Sequence, residues 1–338
     1  MKPPKSILVV CLRYLGDTLL LRPPLRALRA AFPGARIDVL VTAGTAIALE
    51  DCANADQVIE WPNQSIVGQA AALGKVVAAR YDWVVDFTGN DRSALIALVS
   101  GASLRAVYDR PKLSRWSLRR MAYTHRVPPK VVKPHAIIQR LELLEACGVP
   151  GQGTDVDLVP RTEALAWADS VATGLPAGWL HAHLTSRDMQ KAIPAGVAKT
   201  VFAEVIARGG AVVITSGPAE VERKHVASCV VDLPAERLRV ISDASWHQLV
   251  ALISRAGKYW GADTAPAHVA AALEKPMLIH YGPSKAGHWR PLHAAARVDE
   301  HRCACLKNKR VDCAKGSPGA CLEGIDTGAV LSWIFSDD

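Results

Sequence analysis

Residues 7–40 read ILVVCLRYLGDTLLLRPPLRALRAAFPGARIDVL. The run 7–11 is unbroken, apolar and rich in β-branched residues, as in a strand buried on both faces of a parallel sheet. Leu19, Leu20, Leu25 and Leu28 then recur at helical spacing through residue 31. Pro23 and Pro24 predict a kink there, or a helix that restarts one turn later. The turn at Pro33 and Gly34 leads to a second apolar strand at 37–41. Strand, helix and parallel strand make an α/β unit.

The alternation continues outward. Strands are expected at 57–60, 83–87 and 105–108, and helices at 66–80, 93–100 and 135–147, the last ended by Gly148 and Pro150. Residues 148–162, GVPGQGTDVDLVPRT, lose periodicity and gather Gly and Pro, which marks a domain boundary. The pattern then restarts, with strands at 179–184, 211–215, 258–260 and 277–280 and helices at 197–208, 220–229, 246–255 and 266–273. The reading is α/β throughout: two Rossmann-like domains, 1–155 and 156–338, facing across a cleft. A chain of 338 residues, half of them apolar, has the material for two such cores.

Charged residues make up 21% and no run approaches eighteen apolar residues, so a membrane span is not expected. The apolar run at 7–12 is too short for a signal sequence and is followed by Arg13 and Asp17, which predicts a cytoplasmic protein. In that compartment the eight cysteines are read as thiols or metal ligands.

Net charge is +8, and all of it lies in residues 1–150, with 20 basic against 12 acidic side chains; the remainder is balanced. The window 101–135 concentrates it: Arg105, Arg110, Lys112, Arg115, Arg119, Arg120, Arg126, Lys130 and Lys133 stand against Asp109 alone. A solvated face is one explanation. The preference for Arg, which grips phosphate with two N–H groups, favours an anionic partner: nucleic acid, a membrane surface or a phosphorylated substrate.

Three segments carry chemistry. After the first strand, Gly16 is the only glycine before residue 34, so a dinucleotide fingerprint is absent and a nicotinamide enzyme disfavoured. Gly16 permits close backbone approach or positive φ, and Asp17 stands at a helix N-terminus, as an N-cap or as a functional acid. At 261–268, GADTAPAH follows a strand and opens a helix. Thr264 can cap it, Ala265 is small, Pro266 suits the first turn, and the free N–H groups would receive a pyrophosphate. His268 lies one turn in, as a core histidine or as part of the site. At 181–191, HAHLTSRDMQK is a strand ending in Thr185, Ser186 and Lys191, which suits an anionic leaving group.

Together these segments resemble glycosyltransferase family 9, the ADP-heptose:lipopolysaccharide heptosyltransferases. The N-terminal stretch resembles the family's strand, Gly-Asp, Leu-rich helix and F-P-x-A-x-I pattern. GADTAPAHVAAALEKPMLIHYGPS at 261–284 is similar to its donor motif, with Ala265 in place of the usual Gly. Arg13 and Tyr14 before Leu15-Gly16-Asp17 lean toward the heptosyltransferase III branch. The resemblance spans nearly all of the chain.

It implies a GT-B architecture whose last helix may return to the first domain, and inverting, metal-independent transfer of heptose from ADP-heptose to a hydroxyl of the lipopolysaccharide inner core. Asp17 matches the family's base. Gly16, Thr185, Ser186, Lys191, Asp263, Thr264, Ala265 and His268 fall to the donor, and Arg13, Arg105, Arg110, Arg115, Arg119 and Arg120 to the phosphorylated acceptor. No cofactor or metal is implied beyond the donor substrate; the partners are the nucleotide sugar, the core and the anionic inner face of the cytoplasmic membrane, not nucleic acid. Adenine would lie near residues 242–245.

Cys303, Cys305, Cys313 and Cys321 echo a cysteine-containing tail of some relatives, as a zinc site or as thiols; Cys-x-Cys is cramped for tetrahedral zinc. Two other readings stand beside the transferase: a two-domain binding protein that closes on a ligand without reacting, and an epimerase or transferase of the same fold with a different nucleotide sugar.

Overall fold

One strand order occurs twice in this chain. In a computed structural model, which describes residues 3–109, 117–128, 135–301 and 320–336, two compact units emerge, Met1–Asp157 and Leu158–Asp338.

The first unit runs β1 (Ser6–Cys11), α1 (Leu15–Leu19), α2 (Arg22–Ala31), β2 (Arg36–Thr42), β3 (Gln57–Trp61), α3 (Ile66–Ala79), β4 (Trp83–Asp86), α4 (Asp91–Val99), β5 (Leu104–Tyr108), α5 (Leu118–Met121), β6 (His125–Val127) and α6 (Ala136–Ala146). Its sheet has the order β3-β2-β1-β4-β5-β6, every pair parallel. β1 lies inside the sheet, which is why residues 7–11 are all fully buried. On one face Leu8, Val10, Leu40 and Val84 pack under Ala72 and Val76 of α3 and Ala94 and Ala97 of α4.

The expected helix at 18–31 is two helices. Leu21 is the N-cap of α2, and prolines occupy its first turn, where a missing N–H leaves nothing unpaired. Arg22 there is 3% exposed; it donates through Nε and Nη2 to Ala48 O, at 3.2 and 3.1 Å, and through Nη1 to Asp157 O at 2.5 Å. Arg26 adds Gln152 O at 3.2 Å. The segment at 152–157 is thereby lashed to α2, and the first unit closes after it.

The second unit runs α7 (Thr162–Val171), β7 (Leu180–His183), α8 (Ala195–Ala207), β8 (Val212–Thr215), α9 (Glu220–Cys229), β9 (Leu238–Ile241), α10 (Trp246–Arg255), β10 (Lys258–Ala262), α11 (Ala265–Ala272), β11 (Met277–Tyr281), α12 (Ala286–Trp289), β12 (Ala296–Glu300) and α13 (Thr327–Ile334). The order β12-β11-β10-β7-β8-β9 is the first unit's order counted afresh from β7, again parallel throughout. Helices cover both faces. Phe202 of α8 meets Trp260 edge-on with ring centroids 5.7 Å apart, and Ala164, Ala168, Ala251 and Leu252 of α7 and α10 pack on Val213. Gly261 is required in β10, because a Cβ there would sit 2.6 Å from His183 O.

Val330 and Trp333 of α13 belong to the second unit's own core, and Lys258 Nζ donates to Trp333 O at 2.7 Å. Cys321 is also buried in that core; Cys303, Cys305 and Cys313 lie outside the described residues. Among the described residues no group of three or more His, Cys, Asp or Glu side chains is placed to hold a metal.

Candidate active site

A doubly wound sheet binds ligands where its strand order reverses, at the carboxyl ends of the two strands flanking the switch. In the first unit those are β1 and β4, and the loops that follow them are tied together. Leu12 N donates to Thr88 Oγ1 at 2.7 Å, and Arg13 Nη2 to Thr88 O at 3.2 Å. Arg13 thus spends one donor on the scaffold at the site's edge. Asp86 ends β4 and shapes its loop: Oδ1 accepts from Thr88 N at 2.7 Å and Gly89 N at 3.1 Å, and Oδ2 accepts from Tyr123 Oη. Burial pushes the Asp86 carboxyl upward.

Asp17 sits in the first turn of α1, 6% exposed. It is not an N-cap; Tyr14 holds that position. Gly16 is helical and adopts no positive φ, so its contribution is the lack of a side chain. The carboxylate faces a residue that sequence reading passed over. Arg140 of α6, 5% exposed, donates through Nη2 to Asp17 Oδ1 at 3.2 Å and through Nη1 to Asp17 O at 2.8 Å. The same Nη2 reaches Cys11 Sγ at 3.9 Å, and the guanidinium lies 5.8 Å from the Phe87 ring centroid. Asp17 Oδ2 accepts no hydrogen bond among the described residues. Burial pushes the Cys11 thiol up to about 12, which leaves it a packed, protonated group.

In the second unit the switch lies between β7 and β10, and two sequence-predicted segments meet there. Lys191 Nζ is 2.8 Å from Asp263 Oδ2, with 26% and 7% of the side chains exposed. Thr264 is the N-cap of α11, but its hydroxyl donates to Ala262 O at 3.4 Å and caps no helical N–H. Pro266 has no N–H and Ala267 N donates to Thr264 O at 3.1 Å, so among the described residues the Ala265 N–H is what the first turn of α11 keeps for an anion. His268 is buried one turn further on. Burial, and then the charge of Asp263, drives the Tyr281 hydroxyl well above its ordinary value.

Thr185, fully buried, donates through Oγ1 to Glu222 Oε2 at 2.7 Å, and Ser186 Oγ accepts from Asp188 N at 3.3 Å. Glu222 is the second residue the sequence reading missed. It is 5% exposed in the first turn of α9 and also accepts from Gly217 N at 3.2 Å. A Cβ at position 217 would fall 2.3 Å from its carboxylate, so any other residue there would push the Glu222 side chain aside. Arg140 and Glu222 share one signal. Each interrupts the apolar stripe of its helix, Ile137-Arg140-Leu141-Leu144 and Glu222-Val226-Cys229, where a charge is tolerated only with a built partner.

The arginines assigned to an acceptor divide. Arg105 donates Nε to Ala122 O at 2.6 Å and Nη1 to Ala102 O at 2.5 Å, so two of its guanidinium nitrogens are held by its own scaffold. Arg119 binds Asp91 with both ends, at 2.6 and 3.0 Å. Arg120 lies on α5. Arg110 and Arg115 fall outside the described residues.

Comparison with known proteins now bears on this geometry. The sequence matches the family description Glycosyltransferase family 9 (heptosyltransferase) over residues 70–317. It is 26% identical over 297 residues to lipopolysaccharide heptosyltransferase 3 of Escherichia coli, covering 83% of this chain and 84% of that protein. The crystal structure of a family 9 glycosyl transferase from Veillonella parvula superposes with a TM-score of 0.80 at 21% identity, over 98% of this chain and 97% of the other. The E. coli ADP-heptose lps heptosyltransferase II structure gives 0.77 at 21% identity, over 97% of each chain. The fold is that of the GT-B transferases, and the match covers well over half of the sequence, so the chain belongs to glycosyltransferase family 9, the heptosyltransferases.

Proposed function

We propose that this glycosyltransferase moves heptose from ADP-heptose to a hydroxyl of the lipopolysaccharide inner core with inversion at the anomeric carbon, and that Asp17 is its base. The observation that carries the reading is the buried Asp17 carboxylate at the first unit's switch point, with one oxygen held by Arg140 and the other without a hydrogen bond among the described residues. In one displacement the acceptor oxygen bonds to the anomeric carbon as its proton passes to Asp17, and the bond from that carbon to the β-phosphate oxygen breaks. ADP leaves with the electron pair. Lys191 and the uncapped start of α11 receive its charge; Asp263 keeps the ammonium in place, and Thr185, Ser186, Ala265 and His268 are assigned to the same donor.

A family relative named for lipopolysaccharide and one named for ADP-heptose support donor and acceptor class. Cationic side chains and helix N–H groups take the part that a divalent metal plays elsewhere, so activity is expected to survive EDTA. The acceptor's phosphates fall to Arg13 and Arg120, with Arg110 and Arg115, at the inner face of the membrane. Among the described residues no helix is long and apolar enough to cross a membrane.

The test is a donor panel. ADP-heptose, UDP-sugars and GDP-sugars are offered with a truncated core acceptor, and the product's anomeric configuration is read by NMR. Transfer from ADP-heptose alone, abolished by Asp17→Asn with ADP affinity kept, is the expected result. Preference for another nucleotide refutes the donor, and near-normal turnover of Asp17→Asn refutes the base.

A further inference from the structure

We infer that Arg140 is a positioning residue for the transfer, fixing which oxygen of Asp17 receives the acceptor's proton. This rests on the reading of Asp17 as base. Its grounds are the geometry of one buried pair, which joins α6, the last helix of the first unit, to α1, the short helix after the first strand.

Arg140 holds Asp17 twice. Nη1 donates to the main-chain carbonyl at 2.8 Å and Nη2 to Oδ1 at 3.2 Å. The first contact fixes the backbone of α1, and the second fixes the side-chain torsion. A carboxylate held through one oxygen presents the other in a defined direction, and Oδ2 has no partner among the described residues. Structural economy alone does not account for the pair. A buried ion pair often does no better for stability than apolar side chains of the same volume, and this site has Phe87, Cys11 and the apolar side chains of α6 around it. Arg140 also pays little for geometry elsewhere: its remaining contacts are a thiol at 3.9 Å and a ring face. Both of its close hydrogen bonds go to one residue. Two parallel donors on a planar fork are a property of Arg that Lys does not supply.

The function of the pair is therefore read in turnover. Misplacing a reacting group by about 1 Å costs on the order of 100-fold, so Arg140→Gln is expected to lower kcat by about that factor. Acceptor and donor KM should stay within about 3-fold of the parent. Arg140→Lys, which keeps the charge and loses the fork, is expected to restore only part of kcat. A residue that acts solely through Asp17 has nothing left to act on once the base is gone, so Arg140→Gln added to Asp17→Asn should cost no further turnover.

The experiment is that double-mutant cycle on the full chain, by single-turnover transfer from ADP-heptose, with thermal melts of all four proteins. If Asp17→Asn retains turnover, the base assignment itself fails, and this inference with it. If Asp17→Asn loses orders of magnitude of turnover yet Arg140→Gln multiplies the residual loss equally in both backgrounds, or raises acceptor KM with kcat intact, the positioning role is overturned while the base stands. Should Arg140→Gln not fold, Arg140→Lys carries the same cycle and the same refuting outcomes.

Discussion

Replacing Lys191 by Ala removes an ammonium 2.8 Å from Asp263 Oδ2. The two partners are unequally covered, with 26% of the Lys191 side chain exposed and 7% of Asp263, so the loss falls on a carboxylate that water barely reaches. A nucleotide pyrophosphate at the α11 start then loses one charge-assisted hydrogen bond, about 1.5–3 kcal/mol. It also meets the unbalanced charge of Asp263. At about 1.4 kcal/mol per tenfold, ADP affinity is expected to fall roughly 10- to 100-fold. The repulsive share is separable. Asp263→Asn added to Lys191→Ala removes the stranded charge, and the double variant should bind ADP more tightly than Lys191→Ala alone. Isothermal titration with ADP reads both. Unchanged affinity in Lys191→Ala refutes a donor role for the lysine, and a double variant weaker than the single refutes the electrostatic account.

Acid should weaken the second unit. Burial lowers His181 to about 3 and His183 to about 4, beside the shared Thr215 Oγ1 at 2.9 Å, so both stay neutral in the fold while the unfolded chain takes up protons below about 6.5. Their contribution is complete above that pH and is lost as pH falls toward 4, by about 1 kcal/mol per histidine per unit; a melting temperature flat from pH 7 to 5 refutes it. Arg105→Gln should lower stability by about 1–3 kcal/mol through two lost carbonyl contacts and leave acceptor KM alone, as thermal melts and kinetics check. Arg119→Gln, removing an exposed pair with Asp91, should leave the melting temperature unchanged, and a large drop would show the pair to be structural.

The interior of both sheets is legible along the chain, because a strand buried on both faces must be apolar at consecutive positions: residues 7–11 and β11 announce themselves. Among the edge strands β3 is legible at 57–60, and the other three are not. β6, β9 and β12 are half-buried with mixed polarity, and their conformation comes from the neighbour they pair with rather than from their own pattern. The helices at 220–229 and 246–255 are read to the residue, since an apolar stripe and a cap are local properties. α7 carries the same alternation but follows the Gly-rich boundary, and it went unrecognised.

At the site, sequence alone places Asp17, Lys191 and Asp263 at strand ends, because a glycine or a helix start after an apolar run is visible in one dimension. It does not reveal that Lys191 meets Asp263 across 72 positions, or Asp17 meets Arg140 across 123. The basic first half shows the same divide. Composition counts Arg105, Arg119 and Arg140 alike, yet one donates to main-chain carbonyls, one pairs at the surface and one is buried against Asp17. A charge is set by residue type and is written in the sequence. What that charge does depends on how much water the fold leaves around it and which opposite charge the fold brings near, and both are decided only when distant segments pack.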